Sequence, residues 1–150
     1  MGKIDQALER LTGKRTYLDA NLLIYFFDGH SQYFDLAKAF IAAAEKRVFF
    51  AVTSKAVIAE VMVHPYRDGD PELIAHFRAF FAQDFLSVVG NPDELFDKAS
   101  LYAGTRSMKL IDALHYATAQ HFGCHAIVSN DKRFKRQNDQ LEIINIDELL

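Results

Sequence analysis

From Arg15 onward the chain repeats one order: a short run rich in β-branched and aromatic residues, then a stretch with helical spacing or high Ala content. "RTYLD" leads into "NLLIYFF" and "YFDLAKAFIAAAEKR", separated by the turn "DGHS". "RVFFAVTS" leads into "KAVIAEVMVH", with Pro65 expected to stop the helix. "DPELIAHFRAFFAQ" then passes through "FLSVV" and "GNP" into "DELFDKASLYAG". A further helix is predicted over about 108–122 with Gly123 closing it, followed by the strands "HAIVS" and "LEIINI" and a short terminal "DELL". Buried strands alternating with helices require crossover connections, which gives an α/β domain with a mostly parallel sheet of four or five strands covered on both faces.

Ahead of this pattern, Ile4, Ala7, Leu8 and Leu11 recur at helical spacing until Gly13, so residues 1–14 read as a leading amphipathic helix that packs on the domain or on a partner. A length of 150 residues, half of them hydrophobic, suits one domain with its own core, and no linker or repeat divides it. The net charge of −3 creates no global basic field, so an anionic partner has to be held locally. The single cysteine, Cys124, forms no internal disulfide, and its setting "FGCHAIV" favours a small buried hydrophobe. With no signal-like apolar core at the start and no run of membrane-spanning length, a cytoplasmic protein without a membrane partner is expected.

Ligands of open α/β sheets lie beyond the carboxyl ends of the strands, where Asp19, Thr53, Ser54, Ser129, Asn130 and Asp131 are predicted to fall. Asp19 interrupts the otherwise apolar "TYLDANLLIYFF", and a charge there needs a partner. It is explained equally by capping the following helix. Glu60 is the only charge in "AVIAEVMV", with no Lys or Arg at helical spacing and only His64 nearby. A stranded glutamate on an apolar helix is a site residue or half of a distant ion pair. Asp112 sits in the first turn of its helix, where a carboxylate also suits the helix dipole, and Asp131 lies in the turn-like "SNDKRF". Each has a local explanation alone. Together, four converging carboxylates would repel one another unless a cation lies between them. Oxygen ligands without a Cys or His set point to Mg²⁺ or Mn²⁺, and such an ion can activate water and stabilise charge on a leaving phosphate oxygen.

The order "YLDANLLIYFF", "TSKAVIAEV" and "LIDALHYATAQHFGCHAIVSNDKRF" resembles the PIN-domain nucleases, the family that includes the VapC-type toxins of toxin–antitoxin pairs. Its most specific piece is D-A-x-x-x-A-x-A-x-x-x-G starting at Asp112, followed by an apolar strand and a Ser-x-Asp turn. The resemblance runs from about Arg15 to the C-terminus. It implies a three-layer α/β/α fold, with Asp19, Glu60, Asp112 and Asp131 as metal-binding catalytic acids and Asn21 and Ser129 as supporting polar groups. It further implies metal-dependent endonucleolytic cleavage of RNA leaving a 3′-hydroxyl and a 5′-phosphate, a cognate antitoxin and a homodimer. The other reading of the same resemblance is an inactive PIN-like module that binds protein or RNA.

Lys132, Arg133, Lys135 and Arg136 follow Asp131 as a basic cluster, and Arg106 and Lys109 precede Asp112; these six are candidate RNA phosphate contacts or simply solvated charge. The six histidines show no zinc spacing, and His115, one turn beyond Asp112, is expected in a packing or surface role rather than at the site. The phenylalanines, including the pairs 26–27, 49–50 and 80–81, are expected in the core. An aspartyl-phosphatase reading wants a second Asp where Asn21 stands, and no Gly-Lys phosphate loop or dinucleotide fingerprint occurs. A receiver domain would need an Asp ending the third strand and a Lys after the fifth, and "FLSVVGN" and "IINIDELL" offer neither.

Overall fold

A computed structural model describes residues 2–131, 134 and 141–150. Among the described residues, five strands form one sheet: β1 (Arg15–Leu18), β2 (Phe50–Ser54), β3 (Leu86–Val89), β4 (Ala126–Ser129) and β5 (Glu142–Asn145). They lie in the order β3-β2-β1-β4-β5, and every pairing is parallel. The central strands are covered on both faces: Thr16, Tyr17 and Leu18 are all buried, as are all four residues of β4.

Seven helices among the described residues connect or flank these strands: α1 (Lys3–Leu11), α2 (Ala20–Asp28), α3 (Phe34–Glu45), α4 (Lys55–Asp68), α5 (Pro71–Phe81), α6 (Asp93–Arg106) and α7 (Leu110–His121). A short 3₁₀ turn, Ile146–Leu149, follows β5. Helix α1 packs on the domain, burying Ala7 and Leu11 and meeting α3, so its apolar stripe is a core face. Gly123, at a left-handed φ of 72°, follows the end of α7 as expected, and the Cys124 amide reaches back to the Ala119 carbonyl.

Two sequence expectations are corrected. Pro65 does not stop α4: the helix continues to Asp68 and ends at Gly69, whose φ is 62° and whose amide bonds the carbonyls of Pro65 and Tyr66. The proline ring is buried, and this packing offsets the amide hydrogen bond that proline forgoes. Phe50, the first residue of β2, is not core; it is 48% exposed, whereas Phe49 just before the strand is fully buried. The other aromatic pairs join α2 to α5: the Phe27 ring stacks on Phe77 at 4.1 Å and meets Phe80 edge-on at 4.9 Å.

This packing positions the site. From β1 the chain steps outward to β2 and β3, then returns through α6 and α7 to place β4 on the other side of β1. The crossovers therefore diverge between β1 and β4, and a crevice opens beyond their carboxyl ends.

Candidate metal centre

Asp19 is the first residue after β1. Its Oδ1 accepts the Ala20 amide at 2.7 Å, capping α2, while its Oδ2 accepts the Ser129 hydroxyl at 2.7 Å from the end of β4. The capping explanation is therefore correct and does not exhaust the residue's role. Ser129 Oγ in turn accepts the Asp131 amide at 3.2 Å and lies 3.4 Å from Asn21 Nδ2. Asn21 Oδ1 accepts the Asn130 amide at 3.2 Å. The two residues expected to support the acids thus hold Asp19 and the turn after β4 in register.

Glu60 approaches from α4. Its Oε1 lies 2.5 Å from His115 Nε2, and the same nitrogen is 3.6 Å from Asp19 Oδ1. His115 is 1% exposed, so it is packed in the interior rather than on the surface, and its contacts with Glu60 and Asp19 give it a place among the acids as well. Its other nitrogen, Nδ1, lies 2.8 Å from the hydroxyl of buried Tyr17, which is 2.8 Å from Ser54 Oγ. His64, the one local partner that the sequence offered to Glu60, faces Asp68 instead at 2.9 Å.

Asp112 stands one helical turn before His115 on the same face of α7. Burial, a hydrogen bond with Asp131 and the charges of Asp131 and Asp19 raise its pKa to about 7, against a smaller opposing pull from His115. Asp131 thereby falls beside Asp112. For His115, burial lowers the pKa, but the hydrogen bond to Glu60 and the charges of Asp19, Glu60 and Asp112 outweigh it and leave the value raised. Among the described residues, no Lys or Arg pairs with Asp19, Glu60 or Asp112.

This donor set fits a divalent cation. Ligand atoms from Asp19, Glu60 and His115 all lie within 4.8 Å of one another. Asp112 Oδ2 is buried without a hydrogen-bond partner, a cost that a cation would remove. The sequence reading passed over Tyr17, named Ser54 only as a strand-end residue and gave His115 a packing or surface role. Tyr17, Ser54 and His115 look like ordinary core or cap residues in the linear pattern; only the unpaired Glu60 signalled that something was needed.

Of the candidate RNA contacts, Arg106 is exposed and lies over the Tyr102 ring at 4.0 Å, and exposed Lys109 precedes the first turn of α7. Lys132, Arg133, Lys135 and Arg136 lie outside the described residues. Cys124 is partly buried, and burial, opposed by Arg15, raises its thiol pKa to about 11, so it is an unreactive thiol at neutral pH.

An all-parallel sheet with acids gathered at the point where its crossovers diverge is the architecture that the sequence resemblance implies, and comparison with known proteins agrees on the family. The chain belongs to the PIN domain family, whose model matches residues 16–140. No curated protein sequence matches significantly. Among solved structures, the chain is similar to VapC20 of Mycobacterium tuberculosis, a sarcin–ricin-loop-cleaving toxin, at 14% identity over 83% of this chain and 91% of that one, with a TM-score of 0.63. VapBC2 of Rickettsia felis, bound to promoter DNA, is similar at 16% identity over 87% and 98%, with a TM-score of 0.65. A toxin–antitoxin complex from Klebsiella pneumoniae is similar at 18% identity over 84% and 94%, with a TM-score of 0.64. At these identities the likeness is one of fold.

Proposed function

We propose that the protein is a metal-dependent endoribonuclease that uses Mg²⁺ or Mn²⁺ and acts in the cytoplasm as the toxin of a toxin–antitoxin pair. The observation that carries this reading is the convergence of Asp19, Glu60, Asp112 and Asp131, from four separate segments, beyond the carboxyl ends of β1 and β4. Asp19, Glu60 and Asp112 would hold the ion, with Asp131 adjoining Asp112. When bound, such an ion supplies electrophilic assistance at a phosphodiester and lowers the pKa of an attacking water. The protein's part is to keep the carboxylates aimed. Ser129 and the Ala20 amide fix both oxygens of Asp19, and His115 fixes one oxygen of Glu60. Lys109, Arg106 and the sequence-adjacent basic residues Lys132, Arg133, Lys135 and Arg136 would supply phosphate contacts in an otherwise acidic protein.

The toxin assignment is supported by family membership and by the toxin–antitoxin complexes among similar folds. A small antitoxin would cover the acidic crevice, with an arginine among the carboxylates. The homodimer is supported by apolar side chains left on the surface of α6 and α7, including Phe96 and Leu110. No helix among the described residues is long and apolar enough to cross a membrane.

Purified protein assayed on RNA should cleave with Mg²⁺ or Mn²⁺, stop with chelator, and lose at least 100-fold in rate as Asp112→Asn, the scale of removing a charge-stabilising group. Cleavage indifferent to chelator and to the substitution would reject the metal mechanism. RNA or protein binding without any cleavage would favour the inactive module.

A further inference from the structure

We propose that His115 is a direct nitrogen ligand of the metal centre, which biases the site toward Mn²⁺ over Mg²⁺. The inference rests on the metal-nuclease reading above and names the ligand set that the four-acid expectation omitted. His115 Nε2 points at the acids, 2.5 Å from Glu60 Oε1 and 3.6 Å from Asp19 Oδ1. Neighbouring ligands of a six-coordinate ion with bonds near 2.1 Å are about 3 Å apart, so these separations straddle the required value. A small swing of the half-buried Glu60 side chain reconciles them.

The opposite side of the ring is already arranged for ligation. A histidine that binds metal through one nitrogen keeps its other N–H on a fixed acceptor. Here Nδ1 faces the Tyr17 hydroxyl at 2.8 Å, and that hydroxyl faces Ser54 Oγ at 2.8 Å. With Nδ1–H donating to Tyr17 and Tyr17 donating to Ser54, the Nε2 lone pair is free for the ion. The other neutral tautomer fits the same distances, with Nε2–H donating to Glu60 and Nδ1 accepting from Tyr17. Both tautomers keep His115, the Tyr17 hydroxyl and Ser54 Oγ in one hydrogen-bonded chain. Asp112, one turn before His115, offers a buried oxygen with no partner of its own.

Imidazole is a softer donor than carboxylate: Mg²⁺ takes oxygen almost exclusively, whereas Mn²⁺ lies nearer the ions that accept nitrogen. The test uses the full chain loaded with Mn²⁺ and electron spin-echo envelope modulation, which detects nitrogen bonded to the ion. The expected result is an imidazole ¹⁴N signal that converts to ¹⁵N on labelling the histidines, which needs no substitution, and that vanishes in His115→Gln. In that variant Mn²⁺ affinity should fall at least tenfold while Mg²⁺ affinity, read by competition, changes less than threefold. Mn²⁺ bound dependently on Asp19 and Asp112 but without nitrogen coupling would overturn the ligand claim and leave the metal site standing. A nitrogen signal that survives His115→Gln would overturn it too. Failure of the intact protein to bind Mn²⁺ at all would sink both claims.

Discussion

Asp112 combines burial, a nearby acid and an orphaned oxygen, and these set a pH dependence for the metal-free protein. Its pKa rises from 3.8 toward about 7 on folding, so the folded state holds a proton that the unfolded chain has released between those values. Stability contributed by that proton is present at low pH and is lost as pH rises toward about 7. In chelator, Asp112→Asn should therefore melt with a flatter pH profile between pH 5 and pH 8. At pH 8 it should gain on wild type by at least about 1 kcal/mol, the worth of roughly one pKa unit, or about 2–4 °C at this size. Thermal melts followed by circular dichroism check this, and parallel pH profiles for the two proteins would count against it. Excess Mn²⁺ should remove the wild-type penalty, since a cation replaces the proton. The acids were legible because a charge in an apolar run is a local anomaly. Tyr17 and His115 were not, because a buried aromatic and a helix histidine look ordinary until β1 and α7, 98 residues apart along the chain, bring them together.

Helices α4 and α7 carry Glu60 and His115, so their relative placement sets the width of the site, and Asn91 ties them together. From the loop after β3, its Oδ1 accepts the Ala56 amide at 3.0 Å in the first turn of α4, and its Nδ2 donates to Thr118 Oγ1 on α7 at 2.9 Å. "GNP" read only as a turn in the sequence, since nothing local says which helices an asparagine amide will bridge. Asn91→Ala removes both bonds, and at about 1 kcal/mol each the melting temperature should fall by about 4–8 °C. Because α4 is then held less firmly against α7, Mn²⁺ affinity measured by calorimetry should also weaken severalfold. A fall in stability with unchanged affinity would show that the clamp supports the fold but not the site. Pro65 teaches the complementary lesson about elements. Its missing amide is visible in the sequence, whereas the buried packing that keeps α4 intact past it is not.

At the scale of the molecule, parallel strands and two helical layers follow from alternation alone, because parallel neighbours need crossovers and buried crossovers need apolar faces. Strand order does not follow, since a crossover can carry the next strand to either side of the sheet. The return through α6 and α7 to the far side of β1 is what brings Ser129 within 2.7 Å of Asp19, and it depends on how those two helices pack together. That hairpin also leaves an apolar surface uncovered. Phe96 and Leu110 are 52% and 58% exposed, and they border a groove with Ala99, Ile111 and Leu114. Contiguous exposed apolar surface of this kind marks association faces, and the proposed homodimer needs one. If this face is the dimer contact, Phe96→Glu combined with Leu110→Glu sets like charges against each other across the symmetry axis and should convert the protein to a monomer by light scattering at micromolar concentration. Both side chains are more than half in water, so the melting temperature of the monomer itself should move little. A double variant that remains dimeric would move the contact to another face. A wild type that is monomeric throughout would remove the homodimer from the proposal while leaving the chemistry of the crevice untouched.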